Sequence, residues 1–542
     1  MIMADSVQIC LVQESFLVGD ILANAQKIIS LSEQARQSGA DLVVFPELAV
    51  TGYPPEDLLL RHSFITQNDQ AVQDIIKSVK GIDLVFGAPQ SINNNLYNSA
   101  IWARDGVILG IYNKYTLPNY AVFDEKRYFA AGNAPVVIDV NGIGFGLSIC
   151  EDIWIDQPAL DAKQHGAEAM LILNASPYHS GKYQERLDVL KQRHAETGLP
   201  LFYINLMGGQ DELVFDGESL VLDASANLVG RGPDFEAALL YYRLDAGGHV
   251  ESVNTAFFQP QSEESNIYKA LVTGVRDYVI NNGFEGVVLG LSGGVDSALT
   301  LAIAVDALGA DQVHAVMMPS RYTAQMSLDD AREEAEILGV DYRVISIEPT
   351  FKAFMETLED SFANTRADTT EENIQARCRG VILMALSNKL GRMLLTTGNK
   401  SEMAVGYSTL YGDMAGGFAP LKDVYKTLVY RLCQYRNGLS PVIPQRVLDR
   451  PPSAELKPDQ VDQDSLPDYD VLDAILKLSV EQDWSSEDII AAGYDAETVN
   501  RVIRMVQFNE YKRRQAPPGI RITRRAFGRD RRYPITSGYG RS

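Results

Sequence analysis

The stretch Val287-Val-Leu-Gly-Leu-Ser-Gly-Gly-Val-Asp-Ser297 limits the fold more than any other part of the chain. A short apolar run gives way to a Gly-containing turn and then to a helix-forming segment. A strand that is apolar along its whole length suits a sheet covered on both faces. The surroundings repeat the pattern. Helix is predicted over Ile267–Asn281, Ser297–Ala307, Asp329–Leu338 and Asn373–Lys389, and strand over Val287–Leu291, Val313–Met318, Tyr342–Ile347 and Met393–Thr396. Alternation at this spacing specifies a doubly wound parallel sheet, which binds ligands at the carboxyl ends of its strands.

Upstream, strands are predicted at Val7–Val12, Asp41–Phe45, Leu84–Gly87, Ala100–Ala103, Phe145–Ile149, Met170–Leu173 and Leu201–Asn205, with an amphipathic helix at Ile21–Ala35. This mixture implies a layered α/β domain. The polar stretch Gln259–Ser265 reads as a linker, giving domains at residues 1–258 and 266–542. At 542 residues and 46% hydrophobic, the chain can bury a sizeable core. Its net charge of −23 argues against a general affinity for nucleic acid or anionic membrane. Cys10, Cys150, Cys378 and Cys433 are too scattered for a disulfide framework or a zinc site, so a reduced, cytoplasmic setting is expected. Residues 1–5 lack the basic start of a signal peptide, and no apolar run reaches the roughly 18–20 residues that span a bilayer. Nine Lys/Arg and one acid, Asp530, lie between residues 512 and 532; such a tail reads as mostly solvated.

The 287–297 turn suits an anion. Glycines let backbone N–H groups come close, the following helix adds its dipole, and Ser292 and Ser297 add hydroxyls. A plain strand-to-helix connection with a capping Asp or Ser fits the same residues. No Lys follows the glycines as in a Walker loop. The loop resembles the SGGxDS motif of the N-type ATP pyrophosphatases. Thr396-Thr-Gly-Asn-Lys-Ser-Glu402, Tyr411–Phe418, Pro420–Lys426 and Asp462–Leu466 narrow the resemblance to NAD⁺ synthetases, over roughly residues 267–525. The resemblance implies that Ser292, Gly293, Gly294, Val295, Asp296, Ser297, Arg377 and Thr397 hold ATP, and that Asp296 and Glu402 carry Mg²⁺. It also implies that Asp413, Lys426, Lys512 and Arg513 serve deamido-NAD⁺ and its phosphates. Glu402 as a solvated helix residue, Asp413 as a turn-closing residue and Lys422 in place of Lys426 remain open.

In the N-terminal half, Glu47 follows an apolar strand in Val43-Val-Phe-Pro-Glu47, Lys114 lies in Tyr112-Asn-Lys-Tyr-Thr-Leu-Pro118, and Cys150 ends a strand in Leu147-Ser-Ile-Cys-Glu-Asp152. A cysteine nucleophile needs a base and a cation that favours thiolate. Singly, each residue fits a bland role. As a set they resemble the nitrilase superfamily of amidases, with its Glu–Lys–Cys triad and four-layer αββα fold, over about residues 5–245. Carried over, Glu47 is the base, Lys114 the electrostatic partner and Cys150 the nucleophile. Glu125, Glu151 and Ser176 are then candidates for holding glutamine.

An ammonia-releasing amidase joined to an ammonia-consuming ligase resembles the family of glutamine-dependent NAD⁺ synthetases. The resemblance implies a shielded route for ammonia and a homodimer of synthetase domains as the minimum assembly. Two other readings compete: another glutamine- or ammonia-dependent ATP pyrophosphatase acting on a nucleotide or tRNA, and a non-catalytic nucleotide-binding regulator. The acidic charge disfavours tRNA, and the retained Cys150, Lys114, Glu47, Asp296 and Glu402 disfavour the regulator.

Overall fold

The computed structural model describes residues 6–457 and 460–539; residues 1–5, read above for a signal peptide, lie outside them. The chain divides into two compact units, Met1–Ser262 and Glu263–Ser542. The expected linker is shortened by a helix, Glu263–Asn281, that begins inside it. Glu263 and Glu264 occupy its first turn, where negative charge complements the exposed N–H groups.

In the first unit, the described residues form two large sheets. One has seven strands in the spatial order Val250–Ser252, Ala238–Asp245, Ser6–Gln13, Leu42–Val44, Asp83–Ile92, Asn95–Arg104 and Val107–Asn113. The other has six: Leu228–Arg231, Leu220–Leu222, Leu201–Asn205, Ala169–Asn174, Ile143–Ile149 and Val137–Val140. Alternation along the strands sorts the side chains into layers. Ile9 and Leu11 of one sheet pack with Ala169, Leu171 and Leu173 of the other in a shared core. Cys10 and Val12 face the helices Ile21–Gln37 and His62–Ser78. Met170 and Ile172 face Gln157–Gln164 and Lys182–Thr197. The result is a helix–sheet–sheet–helix sandwich in four layers.

The second unit holds a four-stranded parallel sheet in the order Asp341–Val344, Val313–Met317, Val287–Gly290 and Met393–Leu395. The chain moves outward for two crossovers and then returns to the opposite side of Val287–Gly290. The turn after that strand therefore sits at a switch point, where crossovers diverge and leave a crevice. Several local expectations change: the helices expected from Asp329 and Asn373 begin at Gln325 and Thr369. The helix after the turn starts at Val295 rather than Ser297, and the strand expected over Tyr342–Ile347 ends at Val344. Ile345 still donates its N–H to Met317 O, but the chain then turns into the helix Glu348–Leu358 with Pro349 in its first turn. Among the described residues no helix is long and apolar enough to cross a membrane.

One glycine positions a functional loop. Gly87 N–H donates to Pro46 O, and its own carbonyl accepts from Val50 N–H, so this strand braces residues 46–50. A Cβ at Gly87 would lie 2.2 Å from Leu48 N and 2.8 Å from Glu47 C. Gly87→Ala is expected to lower the stability of the first unit by about 1–3 kcal/mol, the usual cost of overpacking. A urea unfolding midpoint equal to that of the wild type would show that the Glu47 loop yields freely.

Candidate functional sites

Three strand ends deliver the N-terminal constellation. Glu47 follows Leu42–Val44, Lys114 follows Val107–Asn113, and Cys150 follows Ile143–Ile149. Glu47 and Lys114 have no exposed surface. Lys114 Nζ donates to Glu47 Oε1 and to Glu125 Oε1, each at 2.8 Å. Glu47 is fixed further by Asn98 Nδ2 (2.7 Å) and Ala175 N–H (3.0 Å), and Glu125 by Tyr53 OH (3.1 Å). Burial alone would discharge Lys114, but the two carboxylates keep it protonated. Burial, with help from Glu47, pushes Glu125 up to about 7 against the pull of Lys114. The second Glu125 oxygen is buried without a hydrogen-bond partner.

Cys150 occupies a sharp strand-to-helix corner with φ of +45°, a conformation that cysteine adopts only under constraint. Its thiol is raised well above the ordinary range by burial and by Glu47, while Lys114 opposes the shift. Asp152 lies in the same single turn and accepts from Tyr112 OH, Tyr115 N–H and Thr116 N–H. Glu151 accepts from Tyr120 OH. Ser176 has its N–H bound to Asn205 Oδ1, and its carbonyl and hydroxyl accept from Arg186, itself paired with Asp216. Lys182, whose ammonium lies 4.1 Å from the centre of the Trp154 ring, is a second cation near Cys150; burial lowers its proton affinity.

In the second unit, a cavity of about 550 Å³ opens beside the glycine turn. Ser292, Gly293, Gly294, Val295, Asp296, Ser297, Thr397, Glu402, Asp413, Lys426 and Lys512 line it. The turn is preorganised: Ser292 N–H donates to Ser297 Oγ, and Gly294 N–H to Ser292 Oγ. Gly293 has φ of +80°, and a Cβ there would lie 2.4 Å from Ser327 O. Asn399 caps the helix Lys400–Val405 with its Oδ1 and donates to Asp296 from its Nδ2 (2.9 Å), joining two strand ends. Lys426 Nζ donates to Asp296 Oδ2 and to Glu402 Oε1 (3.1 Å). Burial, aided by Asp296 and Asp462, raises Glu402 to about 8, which Lys426 counteracts. Lys422 donates to Pro517 O, whereas Lys426 lines the cavity. Asp413 closes a turn by accepting from Thr409 N–H, and it also lines the cavity.

Behind the cavity, Lys400 has no exposed surface. It pairs with Asp423 and Glu481 and donates to Thr523 Oγ1 and Arg525 O. Part of the arginine-rich tail thus packs against the helix that carries Glu402. The solvated reading fails for Arg521 and Arg531, which are buried and paired with Asp530 and Glu510.

The sequence profile of the carbon-nitrogen hydrolases matches residues 6–250, and that of the NAD synthases matches residues 267–516. The glutamine-dependent NAD(+) synthetase of Acinetobacter baylyi is 52% identical over 98% of this chain and 99% of its own length. That of Aquifex aeolicus is 45% identical, with 98% and 99% covered. The chain belongs to the glutamine-dependent NAD(+) synthetases. A solved glutamine-dependent NAD⁺ synthetase from Acinetobacter baumannii, in complex with ADP, matches with a TM-score of 0.80 and 48% identity, covering 98% of this chain and 99% of its own.

Two expected site residues in this family member lie away from the cavity. Arg377 is exposed and donates to Leu410 O, whereas Arg379, two residues on, reaches the cavity wall. Residues two apart on a helix point to different sides, so the choice between them turned on helix phase. Arg513 is buried, donating to Ala404 O and Glu510 Oε2 beneath the Phe527 ring. Its neighbour Lys512 donates to Gly406 O and Ser408 O at the cavity rim. Sequence reasoning also missed Tyr53, Asn98, Tyr120, Asp152 and Lys182. Only Asp152, two residues after Cys150, carried a signal by its position.

The Glu125 environment has a pH signature. An unfolded Glu125 releases its proton near 4.5, and the folded one near 7. Between these values the native state holds a proton that the unfolded chain has lost, so this group makes stability fall as pH rises through the window. Urea unfolding from pH 4.5 to 7 should show a flatter profile in Glu125→Gln than in the wild type. A wild-type profile in the variant would show that Glu125 is ionised throughout.

Proposed function

We propose that the first unit hydrolyses glutamine to glutamate and ammonia, and that the second uses the ammonia, with ATP, to amidate deamido-NAD⁺. One observation carries the amidase half: a buried Lys114 ammonium held by Glu47 and Glu125 beside a cysteine at a strained strand end. Family membership and the preorganised glycine turn support the ligase half.

In the amidase site, Glu47 takes the Cys150 proton as sulfur attacks the side-chain amide carbon of glutamine. Lys114 stays charged and stabilises the oxyanion. Glu47 returns the proton to the departing nitrogen, leaving a γ-glutamyl thioester and NH₃, and water then frees glutamate. Glu125 holds the Lys114 ammonium in place. Glu151 and Lys182 carry opposite charges suited to the ammonium and carboxylate of the amino-acid end, with Ser176 beside them.

In the ligase site, the glycine turn and the N-terminus of Val295–Leu308 receive phosphate, with Thr397 and Arg379 on the cavity wall. ATP adenylates the nicotinate carboxylate, pyrophosphate leaves, and ammonia displaces AMP. Lys426 and Lys512 offset phosphate charge, and Asp413 lines the deamido-NAD⁺ end. Among the described residues no three His, Cys, Asp or Glu side chains gather as a ligand cluster. Two carboxylates, Asp296 and Glu402, fit Mg²⁺ well, because that ion commonly takes one or two carboxylates and fills its shell with phosphate oxygens and water. Bound there, it would neutralise charge on the departing pyrophosphate.

A dimer through the second unit accords with its surface. The helix Glu348–Leu358 buries none of its residues, and Phe354, Val381 and Met384 are exposed. A cytoplasmic setting accords with four free cysteines, all buried.

The test follows NAD⁺ formed from deamido-NAD⁺ and ATP with each nitrogen donor. Cys150→Ala should lower the glutamine-dependent rate by several orders of magnitude, about 10³-fold or more for loss of a nucleophile. At high ammonium and mildly alkaline pH it should retain synthesis. Asp296→Asn, Glu402→Gln or chelation of divalent metal should abolish synthesis with either donor. A Cys150→Ala enzyme that still used glutamine would overturn the amidase assignment, and full ammonia-dependent synthesis in both carboxylate variants would overturn the metal assignment.

A further inference from the structure

We propose that Asp152 is a positioning residue for the amidase, the group that fixes how far the Cys150 thiol stands from the Lys114 ammonium. The proposal rests on Cys150 being the nucleophile. Asp152 has no exposed surface and lies in the single turn Cys150–Trp154. Its Oδ1 accepts from Thr116 N–H (2.7 Å) and Tyr115 N–H (3.1 Å), and its Oδ2 from Tyr112 OH (2.8 Å) and Ile149 N–H (3.4 Å). One carboxylate thus grips the chain on both sides of Lys114 and the residue immediately before Cys150.

The two segments need such a tie. Lys114 and Cys150 come from different sheets, and each sheet sets only its own strands. On its far side, the Lys114 backbone is held within its own sheet region: its N–H donates to Asn98 O, and its carbonyl accepts from Gly132 N–H. The ammonium end is held by Glu47 and Glu125. None of these bonds reaches the Cys150 turn; Asp152 does. Its partners are three backbone donors and a phenol, which favour an ionised acceptor with two oxygens. The positive φ of Cys150 needs surroundings that over-determine it, and the Asp152 bond to Ile149 acts one residue away.

Asp152→Asn keeps the shape but turns an amide NH₂ toward backbone donors. In the full-length protein, a displacement on the order of 1 Å should lower kcat for glutamine hydrolysis about 10²-fold, with KM changed less than about threefold. The rate of iodoacetamide labelling at Cys150, read by peptide mass spectrometry, should fall about tenfold, because the thiolate loses its nearby cation. Ammonia-dependent NAD⁺ synthesis should stay within about twofold of the wild type, since Asp152 lies in the other unit. A merely structural role would lower the melting temperature without changing the labelling rate of the folded protein. A folded Asp152→Asn variant with wild-type kcat and labelling overturns the proposal. If that variant does not fold, Tyr112→Phe decides, because it removes one donor and keeps the carboxylate. Labelling slowed about threefold supports the tie, and a wild-type rate overturns it. Should alkylation of wild-type Cys150 leave glutamine hydrolysis intact, the nucleophile assignment fails instead, and the two failures are told apart.

Discussion

The Lys114 ammonium, removed from water and held between Glu47 and Glu125, is the interaction on which the first unit depends. Burying one charge costs several kcal/mol unless its partners are well placed. Here the partners are two carboxylates for one cation, so the cluster carries an excess negative charge. Asn98, Tyr53 and the Ala175 N–H offset that excess by donating to the carboxylates. Burial, and after it the charge of Glu47, raises the proton affinity of Glu125. A proton arriving on either carboxylate would relieve that excess.

The second unit uses the same arrangement for another purpose. Lys426 bridges Asp296 and Glu402 as Lys114 bridges Glu47 and Glu125. The difference is exposure to a ligand. The Asp296 group lies on a cavity with a glycine turn able to take phosphate, so a metal ion and a nucleotide can rearrange the charges. The Lys114 group is buried, and its cation is held by carboxylates of the protein itself. Glu47, Lys114, Cys150 and Asp296 all lie just beyond the carboxyl ends of strands, where rigid backbone meets variable loop.

Much of this was legible in the chain. Buried strands such as Ala169–Asn174 and Leu201–Asn205 announce themselves by unbroken apolar runs, and the switch-point turn by its glycines. The three segments around Glu47, Lys114 and Cys150 could be read as a set that resembles the nitrilase amidases, although no strand was expected before Lys114. Other features depend on contacts far apart in sequence. Arg377 and Arg379 differ only in helix phase, which an even distribution of polar residues on Thr369–Leu390 does not reveal. Arg513 looked like a phosphate ligand beside Lys512, yet its guanidinium closes the end of a helix. The tail read as solvated because a single acid within it, Asp530, gave no sign that Arg521 and Arg531 would be paired by a fold-back onto Asp530 and Glu510, or Arg525 by the distant Asp483.

The grip of Lys400 on Thr523 and Arg525 bears on how the chain matures on the ribosome. Lys400 and Arg525 are 125 residues apart. At about 5–20 residues per second, the last partners of Lys400, Thr523 and Arg525, are made roughly 6–25 seconds after it. The first unit has emerged by then and can fold on its own contacts. Asp423 and Glu481 reach Lys400 earlier, but the helix bearing Glu402 lacks its remaining support until the late segment arrives. During synthesis the glutamine-hydrolysing half is therefore complete before the half that consumes its ammonia, and a stalled ribosome would leave only the former assembled.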